Sequence, residues 1–330
     1  MILVTGANGL VGSHIVLRLL QEGEKVVALV RPGSDTTAMH TLLAFHKQES
    51  SGLTVSEGDL LDLETLLTAM QDCRAVYHCA AQVSFNTRDK DSLYYTNVVG
   101  TQNVLHCASE LSLPVCYLSS TAAIGDQPVN GVLSEESVWT SDKNRSHYSL
   151  SKRYAELEVH RAAAEGLEVV IVNPGIIIGP GKWGQSSTSM FMAGKRGMRF
   201  YPPGGTGFVD VRDVADFSLW ALKNKSSLNG QHLLVGENIP FRSVFEMTAK
   251  AFDKKGPSVA FPSWPVKPLS ATLKPLDVLG INPFAVTSES LKSAYRTTVF
   301  SNEKVKKLGF SFRSIQEAVD YTTAVFNFSS

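Results

Sequence analysis

The chain has 330 residues, 31 Lys plus Arg balanced by 31 Asp plus Glu, with 43% apolar and 19% charged residues. That is one large domain or two smaller ones, with too much apolar content for a disordered chain. The zero formal charge disfavours nucleic acid, whose binding needs a surplus of cations.

In chain order, residues 1–5 are a short apolar run ended by glycine, and 10–22 place Val11, Ile15 and Leu19 at helical spacing. Strand patterns follow at 26–30, 53–55, 75–80, 115–119 and 169–173, with helical patterns at 60–70, 92–111 and 147–164. This alternation predicts an α/β fold with a doubly wound parallel sheet buried on both faces. Beyond Pro174 the texture changes. Residues 201–207 read as a loop, 208–223 as a short strand and a helix, 231–235 as a strand and 243–253 as a helix. Residues 257–284 hold six prolines with Phe261, Trp264 and Phe284, an irregular stretch expected to pack over a second lobe. The tail gives a short helix after Asn302 and a final helix at 314–326. Cys73, Cys79, Cys107 and Cys116 form no C-x-x-C pair and are expected as free thiols. No metal-ligating cluster is read. No apolar run approaches the ~18 residues of a membrane span, and Met1 runs straight into Ile-Leu-Val-Thr-Gly without a leader pattern. A cytoplasmic protein is the expectation.

Two motifs carry chemistry. Gly6, Gly9 and Gly12 lie between the first strand and the first helix. There Gly6 permits a tight turn, Gly9 lets the backbone approach a pyrophosphate, and Gly12 lets helix pack on strand. The second strand ends in Arg31, where NAD-binding chains carry an acid. A guanidinium suits a 2′-phosphate, so NADP(H) is predicted ahead of NAD(H). The second motif is Tyr148-Ser149-Leu150-Ser151-Lys152. Its Tyr and Lys, at i and i+4, share one helix face. Upstream, Ser119-Ser120-Thr121 ends a strand, the place where ligands bind in such sheets. The expected chemistry is proton donation to a carbonyl by Tyr148, whose pKa Lys152 lowers, with Ser120 on the same oxygen.

With these motifs the chain resembles the extended short-chain dehydrogenase/reductases, above all their dihydroflavonol-reductase-like branch. The resemblance spans nearly the whole length. It implies a Rossmann domain over 1–174, with 208–235 returning to it, and a mainly substrate-binding lobe from 175–207 and 236–330. It places the cofactor along Gly6, Asn8, Gly9, Leu10, Val11, Gly12 and Arg31. Further along, it runs past Asp59, Leu60, Ala80, Ala81, Gln82, Ser119, Tyr148, Lys152, Pro174, Gly175, Ile176 and Ile177. The implied catalytic set is Ser120, Tyr148, Lys152 and Asn97, the last supporting a proton-relay water. Ser84, Phe85, Thr121, Trp183, Met190, Phe191, Tyr201 and Phe208 are candidate substrate contacts. A small-molecule carbonyl substrate and a homodimer are also implied. Other functions compatible with the pattern are an NAD-holding nucleotide-sugar epimerase or dehydratase, a 3β-hydroxysteroid dehydrogenase-like enzyme, and a non-catalytic NADP(H) sensor.

Overall fold

The computed structural model describes residues 1–143, 145–224, 230–262 and 294–329. Most of the Pro-rich stretch 257–284 therefore lies outside the described residues. The strands are β1 (Ile2–Thr5), β2 (Val26–Val30), β3 (Leu53–Glu57), β4 (Val76–His78), β5 (Val115–Leu118) and β6 (Val169–Pro174). They continue with β7 (Ile176–Ile178), β8 (Phe200–Tyr201), β9 (Gly205–Asp210), β10 (Gln231–Leu234), β11 (Glu237–Pro240) and β12 (Val259–Ala260). Seven of them form one parallel sheet in the order β10-β6-β5-β4-β1-β2-β3, the predicted doubly wound arrangement. Every residue of β1, β2, β4 and β5 is buried. β3, with Thr, Ser and Glu, is the largely exposed edge.

One face of this sheet carries α1 (Leu10–Gln21), α2 (Thr37–Phe45) and α8 (Val211–Lys223), with Ile15, Val16, Leu19, Val214 and Phe217 in its core. The other carries α3 (Leu63–Met70), α5 (Gly100–Glu110) and α6 (His147–Ala164), with Leu66, Met70, Val104 and Val159. The predicted helix at 92–111 is α4 (Lys90–Tyr94) joined to α5 by a π-turn, Tyr95–Val99. A smaller core, with Ile178, Phe191, Phe208, Val244 and Ile315, unites β7, β9, α7 (Thr188–Arg196), α9 (Phe241–Ala251) and the helix Ile315–Phe328. The helices α2 and α7 were not anticipated. Nor was the pairing of β9 with β7 and β11, because Gly204, Gly205 and Gly207 read as a loop. These glycines serve close packing instead: a Cβ at 204 would stand 2.3 Å from the Arg296 carbonyl oxygen, and one at 207 would stand 2.7 Å from Val235. Among the described residues no helix is long and apolar enough to cross a membrane.

Two buried imidazoles tie elements together. His78 bridges Thr5 Oγ1 (2.7 Å) and Thr101 Oγ1 (3.0 Å). Thr101 already donates to the Asn97 carbonyl, so it accepts from His78 Nε2–H, and His78 Nδ1 accepts from Thr5. His14 Nδ1–H donates to the Leu10 carbonyl (2.8 Å), leaving Nε2 to accept from Tyr321 on the helix Ile315–Phe328. Burial pushes the pKa of His14 down to about 4 and of His78 to about 3. His232 is likewise held at about 4. Folded values below 6.5 mean that the unfolded chain takes up these protons first. The stability they contribute is present above 6.5 and lost as pH falls through about 4. Asp213, pushed up to about 6, and Glu156, also raised by burial, act in the opposite sense, but His46 and His147 are lowered by burial like the three imidazoles above, so five groups stand against two. The melting temperature is therefore expected to fall steadily as pH is lowered from about 7 to about 4. A flat profile across that range would contradict neutral, buried rings.

Candidate active site

Strands β1 to β3 wind one way from the centre and β4 to β6 the other, so the chain reverses between β1 and β4. A cleft of about 1550 Å³ opens at this reversal, where doubly wound sheets bind ligands. Gly6, Asn8, Gly9, Leu10, Val11 and Gly12 line it. Gly6 sits at φ +62°, and a Cβ on it would stand 2.6 Å from Ala80 Cα. A Cβ on Gly12 would stand 2.2 Å from the Gly6 carbonyl oxygen. Gly9 caps α1 without a side chain, so the first-turn amides are left for an anion. This cradle fits a pyrophosphate. At the end of β2, the lining residues are Val30, Arg31 and Ser34, none of them acidic. Glu57, at the end of β3, accepts a hydrogen bond from Gly33 N (3.1 Å) and does not line the cleft. Asp59, Leu60, Ala80, Ala81 and Gln82 continue the wall, and Ser119, Pro174, Gly175, Ile176 and Ile177 close it.

Ser120, Tyr148 and Lys152 converge on the same wall. Ser120 leaves β5 in extended conformation, and its Oγ caps a 3₁₀ turn by accepting from Ala122 N (3.1 Å). Ser146 caps α6, accepting from Ser149 N (2.8 Å), and thereby sets the register that turns Tyr148 and Lys152 inward. The Tyr148 ring packs edge-on to Phe85, centroids 5.9 Å apart. Burial pushes its phenol pKa up, and a hydrogen bond with the Ser120 side chain pulls it down. Lys152 is 2% exposed and donates to the Leu118 carbonyl (2.7 Å). Burial pushes its ammonium down to about 8. In this arrangement the group that lowers the phenol is Ser120. The Lys152 ammonium is turned to the β5 carbonyl.

Asn97 is buried and does not line the cleft. Its Oδ1 accepts from Gln82 N (2.7 Å), and its Nδ2 donates to the Gln82 carbonyl and to Ser151 Oγ (2.9 Å each). Both amide hydrogens are thus committed to bracing the 80–82 wall against α6. The brace depends on the π-turn.

Among the candidate substrate contacts, Phe85, Thr121 and Met190 line the cleft. The rest do not. Phe191 and Phe208 are fully buried in the smaller core. Trp183 packs edge-on to Phe326, Tyr201 faces Arg242, and Ser84 donates to Asp89 (2.5 Å). Apolar rings find core contacts more readily than a half-open cleft, which accounts for the first three. Sequence reading missed two walls. The segment 296–300 pairs Phe300 with Leu133 and lines the cleft, with no local motif to announce it. Pro128, Gly131 and Leu133 line it through a tight turn at Asn130-Gly131, both at positive φ. That Asn-Gly pair between valines was a usable hairpin signal.

Residues 2–236 match the model of the NAD dependent epimerase/dehydratase family. A Synechocystis protein named "Putative dihydroflavonol 4-reductase" is 32% identical, covering 96% of this chain and 91% of its own length. Cinnamoyl-CoA reductase 1 of Oryza sativa is 27% identical, covering 97% and 89%. Among solved structures, gox2253 superposes with a TM-score of 0.81 at 31% identity, covering 99% of this chain and 98% of its own. The Bordetella bronchiseptica enzyme WbmH, solved with NAD+, gives a TM-score of 0.76 at 19% identity over 99% and 98%, a likeness of fold.

Proposed function

The chain belongs to the NAD dependent epimerase/dehydratase family and is an NAD(P)-dependent oxidoreductase, and within that frame we propose that it is an NADP(H)-dependent reductase of a ketone or aldehyde. The observation that carries this reading is the meeting of Ser120 and Tyr148 on one wall of the cleft that the glycine cradle opens. The names of the reductase relatives support a carbonyl substrate. On this reading residues 1–174 and 208–235 hold the cofactor, and 175–207 and 236–330 mainly hold the substrate.

The glycine loop binds the pyrophosphate with its amides, and Arg31 binds the 2′-phosphate. Bound there, the nicotinamide supplies the hydride. Tyr148 donates its phenolic proton to the carbonyl oxygen as that oxygen gains charge. Ser120 stabilises the same oxygen. Lys152, one helical turn from Tyr148, orients the ribose and favours the phenolate left behind.

The Arg31 guanidinium has no hydrogen-bond or ion-pair partner among the described residues, so it is available to a phosphate. Arg31→Asp is expected to weaken NADPH binding by about tenfold to a hundredfold, the worth of a charge-assisted bidentate contact plus the added repulsion. NADH binding should be unchanged or tighter. Dissociation constants from nicotinamide fluorescence check this, and an NADH preference in the unaltered protein would overturn the NADP(H) assignment.

A further inference from the structure

Glu156 follows Lys152 by one helical turn and is completely buried. Its Oε2 accepts from Ser119 Oγ and from Asn173 Nδ2, each at 2.6 Å. Its Oε1 accepts from Gln231 Nε2 and lies 3.8 Å from the Arg153 guanidinium. Every one of these partners is a donor, so the pocket is built for the anion. Burial pushes the carboxyl pKa up, and the bonds from Ser119 and Asn173 pull it back. Asn173 also donates to the Ser120 carbonyl (3.2 Å). The carboxylate thus anchors the strand ends of β5 and β6 on both sides of Ser120.

Lys152 poses the complementary problem. A buried, unpaired ammonium is costly. Lys152 lies over the Tyr117 ring at 4.6 Å and bonds one carbonyl, with no carboxylate of the described residues in direct contact. The groups facing it are Glu156 on α6, His78 on β4 with Cys79 just beyond it, and Tyr117 on β5. Burial holds His78 neutral and pushes the Cys79 thiol and Tyr117 phenol well up, so these are uncharged near neutral pH. Facing Glu156 are Tyr117 on β5 and Ser119 just past it, Asn173 on β6, Gln231 on β10, and Arg153 and His160 on α6. Against burial, the charge of Glu156 favours the protonated Lys152.

We propose that Glu156 is a positioning residue for the reaction, a buried counter-charge that keeps the Lys152 ammonium charged without pairing with it, while its hydrogen bonds hold the strand ends that carry Ser120. An ion pair in direct contact would occupy the ammonium. A carboxylate held off by three neutral donors leaves two of the ammonium's hydrogens for the cleft. The inference rests on the reductase reading for its role in turnover, but not for its test.

The test follows NADPH affinity by fluorescence and, where a carbonyl is accepted, kcat, each against pH. In the unaltered protein both should fall on the alkaline side as Lys152 loses its proton. Glu156→Gln removes the charge and keeps the shape, so that alkaline fall is expected about one pH unit lower. Glu156→Asp keeps the charge and loses reach, so kcat drops while the fall stays in place. Ser119→Ala should lower kcat equally at every pH. A Glu156→Gln protein with reduced kcat and an unmoved alkaline fall would show a merely structural role and overturn the proposal. If Glu156→Gln does not fold, a displaced fall in Glu156→Asp would overturn it as well. NADPH binding with the predicted shifts, but no carbonyl turned over, would sink the reductase reading and leave this inference standing.

Discussion

Tyr148→Phe is expected to lower kcat on an accepted carbonyl by about 10²- to 10⁴-fold, the usual worth of a positioned proton donor. NADPH binding should be nearly unchanged, because the ring keeps its edge contact with Phe85 and the glycine cradle lies elsewhere in the cleft. Stability should drop by no more than about 1 kcal/mol, since one hydrogen bond with Ser120 is lost. The split between kcat and binding is diagnostic. A cofactor-binding sensor without turnover would show no activity to lose. A reductase using another acid would keep its rate. Steady-state NADPH oxidation with a found substrate, paired with fluorescence titration, gives both numbers, and intact turnover in Tyr148→Phe would reject the proposed proton donor.

Gly12→Ala is expected to cost about 1–3 kcal/mol of stability and to weaken NADPH binding by about tenfold to a hundredfold. The added Cβ would stand 2.2 Å from the Gly6 carbonyl oxygen, 2.8 Å from the Gly6 carbonyl carbon and 2.9 Å from Ala7 Cα. All three are backbone atoms, so relief requires the loop itself to open, and that moves the amides that face the phosphate. Gly23→Ala is the matched control. Gly23, unlike Gly12, carries positive φ (+77°), and a Cβ there meets nothing within 4 Å. It should therefore cost about 1 kcal/mol of backbone strain and leave NADPH affinity alone. Equal affinity for the two variants would show that the Gly6–Gly12 contact does not shape the cofactor site.

The parts of the molecule that were legible in advance are the locally encoded ones. Apolar runs such as Val-Val-Ala-Leu-Val announce a strand buried on both faces, and β2 is completely buried. The span of α6 was read to the residue, because Ser146 caps its start and Gly166 follows its end. The glycine cradle and the Tyr–Lys pair depend on spacing along one turn or one helix face, which the order of residues states directly.

What escaped that reading depends on contacts between distant segments. Helix α2 buries only Met39, Leu42 and Leu43 and has no side-chain cap. Its end is held by Phe45 and His46 against Tyr321, some 275 positions away. Phe191 and Met190 are neighbours in the chain, yet Phe191 is fully buried in the smaller core while Met190 packs at its edge and lines the cleft. Asn97 reaches Gln82 and Ser151 through a π-turn that no local preference predicts. The pocket around Glu156 draws donors from β5, β6 and β10, so its charge could not be inferred from its place on α6.

The amino-acid order settled where the backbone must turn, which faces are apolar and which reactive side chains share a helix face. Those properties arise within a few residues of each other. The tertiary structure alone decided which polar groups are desolvated together, and desolvation sets whether Lys152, Tyr148 and Glu156 hold or release a proton.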